Sequence, residues 1–115
     1  MSLSEFELKR TKKIVAAFIE KHRPEPHIRP NLDLSFRMEG QSVEIFEIRP
    51  HWNNPKEKHE IPIAKATYVK TRQCWRVFWQ RSDMKWHRYD PAPEVRLVED
   101  FLDLVDKDEA GCFFG

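Results

Sequence analysis

The residues of this chain that could do chemistry crowd into one stretch, 74–89. Asp83 and Lys85 stand two apart there, the acid-x-lysine spacing of metal-dependent nucleases, with Glu44 or Glu47 as a further carboxylate. Two-metal chemistry needs such ligands to converge, whereas an Asp beside a Ser is more simply a turn former. Cys74 has Arg76 close by and His87 farther along, the ingredients of an activated thiolate. Nothing around it resembles a nucleophile motif, and such cysteines are commonly buried and inert. The five histidines, His22, His27, His51, His59 and His87, lack the close Cys or His pairing of zinc sites. Only if His51 and His59 met Cys74 or Cys112 in space would a ligand set arise, so solvated loop histidines are expected and no metal or cofactor is implied. With 3 glycines, the chain has no Gly-rich phosphate cradle.

What the stretch does carry is alternation. Three of the four tryptophans, Trp75, Trp79 and Trp86, are interleaved with cations every second or third residue. Read as a β-hairpin turning on Ser82-Asp83, it sets Trp79 opposite Trp86 and Phe78 opposite His87. A similar turn at Thr71-Arg72 sets Tyr68, Ala66 and Ala64 opposite Trp75, Val77 and Trp79. Small residues against large ones fill a packed layer, so Trp75, Val77, Trp79 and Trp86 are expected in the core. The other face then carries Lys65, Thr67, Arg76, Phe78, Lys85, His87 and Tyr89. Cations beside exposed rings are what single-stranded nucleic acid binders use, cations on phosphates and rings on bases. The plain reading is an ordinary solvated face with its rings covered by the tail or a loop. A protein partner, or a homodimer over the same rings or through a sheet edge, is the further alternative. Neither turn has the Asn-Gly or Asp-Gly pair that pins register, and a slip of one residue exchanges the faces.

The elements that must hold this hairpin are legible along the chain. Ser4 with Glu7 makes a capping box flanked by Leu3 and Leu8. A helix follows with Leu8, Thr11, Val15, Phe18 and Ile19 on one side, and it stops near His22 because Pro24 disfavours helical geometry before it. The segment 23–30 is a stiff, proline-rich connector. Leu32, Leu34, Phe36 and Met38 alternate with polar residues as a half-buried strand. Gly40-Gln41 turns into a second strand near 43–48, whose broken alternation at Ile45-Phe46 suggests a bulge or cover on both faces. Residues 50–59 are expected as a long loop and 61–70 as a third strand, with Pro62 tolerated only at its start. After Asp90-Pro91-Ala92-Pro93, the residues Val95, Val98, Phe101, Leu102 and Val105 recur at helical spacing. The apolar tail 111–115 should dock on the body. The expected fold is α+β: an N-terminal helix, a five-stranded antiparallel meander and a C-terminal helix, both helices on one sheet face, in one domain over 1–115.

Composition fits this. The 115 residues suffice for one core, 40% are apolar and 34% charged, and net charge is +1. Residues 61–90 hold seven Lys or Arg against two Asp or Glu, while 91–115 hold two against seven. That polarity suits nucleic-acid contact, or an acidic helix packed beside a basic sheet. The longest apolar run, 14–19, is too short to span a bilayer, so no membrane partner is expected. Two cysteines make no disulfide framework and point to a reducing cytoplasm.

Three segments, 62–68, 79–89 and 112–115, carry a likeness. The chain resembles a family of small bacterial proteins, a domain of unknown function, with a W-x-R-x-D-x-K-W-H-x-Y core and a C-F-F-G end. That resemblance implies a one-domain cytoplasmic protein in which hairpin and tail belong together. It implies no activity, substrate or catalytic residue.

Overall fold

Ser4 opens the first helix as its neighbours require. Its Oγ accepts from the N–H of Glu7 at 3.1 Å, and Glu7 Oε1 accepts from the N–H of Ser4 at 3.2 Å. These reciprocal bonds satisfy two donors that a helix start leaves unpaired. Helix α1 spans Glu5–His22 and stops at Arg23, whose extended backbone leads into Pro24. Its buried stripe is Thr11, Val15 and Ile19. The structure, a computed structural model, describes residues 3–114; Gly115, expected to dock with the tail, lies outside them.

Five strands follow as an antiparallel meander in chain order: β1 Asp33–Glu39, β2 Ser42–Pro50, β3 Lys58–Val69, β4 Cys74–Gln80 and β5 Trp86–Arg88. Helix α2, Val98–Lys107, closes the chain. Between β5 and α2 lies a two-residue strand, β6 Glu94–Val95, that also pairs with β4. Val95 therefore belongs to the sheet and not to the last helix. The β1–β2 turn is Gly40-Gln41, with Gly40 at φ +59 and Glu39 opposite Ser42.

The suspected irregularity at Ile45-Phe46 is a register shift in which Ile45 pairs with Ala64 but Phe46 pairs with Pro62. Ile63 is the extra residue, and Ile45 and Phe46 are both buried. Pro62 thus sits within β3, not at its start. It is tolerated because it falls beside the bulge, where the pairing of β3 with β4, which begins at Ala64, has not started. The expected loop 50–59 is shorter, since Arg49 pairs with His59 and Pro50 with Lys58. Its remainder carries Trp52, 88% exposed.

Val43, Ile45, Ala64, Ala66 and Val77 are fully buried, and with Trp75 they form one cluster with Val15 and Ile19 of α1 and Val98, Phe101, Leu102 and Val105 of α2. Small alanines set opposite large rings are how such a layer fills space. The tail docks as expected. Phe113 is buried with its ring 4.8 Å from that of Tyr89, and its N–H donates to Asp108 Oδ1 at 3.0 Å. Among the described residues no helix is long and apolar enough to cross a membrane.

Candidate functional site

The strand pairing decides which residues share a face. Between β3 and β4, Tyr68 lies opposite Trp75, Ala66 opposite Val77 and Ala64 opposite Trp79, as the sequence predicts. Between β4 and β5 the pairing is displaced by one: Gln80 faces Trp86, Trp79 faces His87 and Phe78 faces Arg88. The cause is the turn. The N–H of Met84 donates to Arg81 O at 2.8 Å, that of Arg81 donates to Lys85 O at 3.3 Å, and Met84 has φ +64. This is a three-residue loop, Ser82-Asp83-Met84, with a left-handed third residue, and not the two-residue turn expected at Ser82-Asp83.

One residue of slip exchanges two pairs of side chains. His87 moves from the expected binding face to the side of Trp79, where Asp83 Oδ2 lies 2.8 Å from its Nε2. Tyr89 is 2% exposed and packs in the core, so its ring is not available on the open face. Burial pushes its phenol up. Trp86 and Arg88 take the places vacated. Lys85 sits at the end of the turn, exposed, its N–H bonded to Asp83 Oδ1 at 2.9 Å. Of the expected set, Lys65, Arg76 and Phe78 remain together on the open face.

The corrected face has a definite layout. Lys65 Nζ lies 5.2 Å from the ring centre of Phe78 and 5.0 Å from that of Trp86. Beside them, Arg76, Phe78, Arg88, Pro93 and Glu94 line a cavity of about 350 Å³. The cavity exists because the edge strand breaks. Tyr89 N–H donates to Val77 O at 2.9 Å and Val77 N–H donates to Pro93 O at 3.0 Å, so the chain leaves the ladder and returns opposite one residue. Pro91 and Pro93 have no N–H to continue a ladder, which is the local reason for the excursion.

Charge on this face is uneven. Toward β1, Arg37 stacks 4.4 Å from the Phe46 ring centre and is paired with Glu60 and Glu44, so that end is neutralised. At the other end Arg76 makes no ion pair among the described residues, and Arg88 meets only Asp90, at 3.0 Å. Glu94 lies opposite Arg76 in the ladder. Its Oε2 accepts from Arg72 Nη2 at 3.1 Å and Nε at 3.2 Å and from Cys74 Sγ at 3.4 Å. The Arg72 bonds first, then the thiol, hold the Glu94 carboxyl below its ordinary range. Burial, then the nearby carboxylate, pushes the Cys74 thiol up, the reverse of an activated nucleophile.

The other suggested constellations do not assemble. Asp83 spends both oxygens inside its own turn, the backbone N–H of Lys85 and then His87 holding its carboxyl low. His51 and His59 do meet, their rings stacked 4.5 Å apart, but without either cysteine: Cys74 lies by Glu94 and Cys112 by Ala110 O. Trp86, Arg88 and Glu94 are the site residues missed from sequence. A glycine at position 84 would have signalled the three-residue loop; a methionine there gives no such sign.

Fold and site together define a small α+β protein of two helices and an antiparallel sheet, with Lys65, Arg76, Phe78, Trp86 and Arg88 on one face of β3 to β5. The chain belongs to a family described as a domain of unknown function (DUF3024), whose pattern it matches over residues 3–115. No curated protein and no solved structure matches it.

Proposed function

We propose that the protein is a binding module whose open sheet face, at β4 and β5, takes single-stranded nucleic acid. The observation that carries this reading is the ammonium of Lys65 shared between the Phe78 and Trp86 rings, with Arg76 and Arg88 alongside. An exposed cation–π contact is worth roughly 0.5–1 kcal/mol. A base stacked on a ring is worth about 1–3 kcal/mol. A base therefore displaces the ammonium from a ring at net gain, and the freed ammonium is well placed to meet the following phosphate. Two free thiols, Cys74 and Cys112, suit a reducing compartment such as the cytoplasm.

Fluorescence anisotropy with a labelled oligonucleotide at low salt tests this. Three cations on phosphates imply a slope of log affinity against log salt of about −2 for a single strand. Charge reversal at Arg76 or Arg88 should weaken binding and flatten that slope, and Trp86→Ala should weaken it with the slope kept. Absence of binding at low salt removes the proposal. Self-association through the same rings would instead appear as a doubled solution mass abolished by Trp86→Ala.

A further inference from the structure

Resting on the single-strand reading above, we infer that Glu94 makes the site selective for guanine. A carboxylate inside a cationic groove is a liability for a surface that only has to attract phosphate. Here it is held in place: three donors converge on Oε2 from Arg72 and Cys74, fixing the group from behind. Oε1 makes no hydrogen bond among the described residues, all three of the carboxylate's partners being on Oε2. It is the free acceptor of a carboxylate whose side chain is 33% exposed and whose residue lines the cavity, with Phe78, Arg76 and Arg88 in the same lining.

A base stacked on Phe78 turns its edge toward this wall. An ionised carboxylate only accepts hydrogen bonds, and an arginine only donates them. Guanine alone has two adjacent donors, N1–H and the N2 amine, followed by the O6 acceptor. Its donors suit Glu94 and its O6 suits an arginine, the preferred partner of that oxygen. Cytosine and adenine set one amine beside an acceptor nitrogen, which repels the carboxylate. Thymine and uracil place their single donor between two carbonyl oxygens, the worst match.

The test uses the full chain and nine-residue oligothymidylates with dG, dC, dA or dT at the centre, a single dG being unable to form quadruplexes. The dG strand should bind roughly tenfold more tightly than the all-dT strand, within the range of a good base contact. Glu94→Gln, which keeps the shape and removes the charge, should bring the four strands within about twofold of one another and raise binding of the all-dT strand. Arg72→Ala, which frees the carboxylate without touching the groove, should lower the dG preference, with retained folding checked by thermal melting. Binding of all four strands with equal affinity, or a dG preference that survives Glu94→Gln, overturns the selectivity and leaves the single-strand reading standing. Failure to bind any strand at low salt overturns both.

Discussion

Lys65 and Trp86 meet across the open face, the ammonium 5.0 Å from the ring centre, although they belong to strands that are not neighbours in the sheet. Phe78 on β4 lies between those strands, and Lys65 reaches both rings. The contact exists only in the observed register. With Trp86 opposite Trp79 its ring would have shared the face of Trp79, which packs against the core, and Lys65 would have had one ring beside it.

That register depends on Met84 holding φ +64. A left-handed conformation costs an L-residue about 1–2 kcal/mol, and glycine escapes this while losing about 0.5–1 kcal/mol more backbone entropy on folding. Met84→Gly should therefore stabilise the protein by up to about 1 kcal/mol, seen as a higher urea midpoint with an unchanged slope.

Gly40 is the converse case. A Cβ at this position would have nothing within 4 Å, so space does not demand glycine there. The φ of +59 does. Gly40→Ala should cost about 1–2 kcal/mol through backbone strain alone. Chemical denaturation measures it, and a neutral result would mean the turn changes type at little cost.

Arg23 and Asp33 tie the end of α1 to the start of β1 through two parallel bonds, Nε to Oδ1 and Nη2 to Oδ2, each 2.9 Å. The bond from Arg23 is the main cause that holds the Asp33 carboxyl below its ordinary value. A carboxyl with a depressed folded pKa adds stability above the ordinary carboxylate range and loses it as pH falls through the depressed value. Asp33→Asn should thus lower the melting temperature at pH 7 and converge with the parent chain toward pH 2. Parallel melting curves across that interval would contradict it.

The tail is a structural part of the domain. Asp108 receives the N–H groups of Phe113 and Phe114 at 3.0 and 2.9 Å, and Phe113 is 7% exposed against Tyr89. Phe113→Ala should cost roughly 3 kcal/mol, the low end for emptying a buried phenylalanine site. Equilibrium unfolding reads the loss directly, and tyrosine accessibility should rise as Tyr89 is uncovered.

Much of this molecule was legible in order of residues. The capping box at Ser4, the stop before Pro24, the turn at Gly40, the bulge at Ile45-Phe46 and the pairing of small alanines with Trp75, Val77 and Trp79 all follow from local rules. Each is set by residues within a few positions, or by a volume match between adjacent strands. Those rules placed Lys65, Arg76 and Phe78 on one face. Tertiary structure alone decided the rest. Whether the turn after Arg81 held two residues or three depended on a left-handed Met84, a state that no local preference favours. That single residue of slip moved His87 and Tyr89 off the open face and brought Trp86 and Arg88 onto it. The placement of Glu94 came from β6, two residues too short to show any period of their own, paired at the edge where prolines broke the strand. Periodicity reports which residues alternate, but the turn decides which alternate set meets the core.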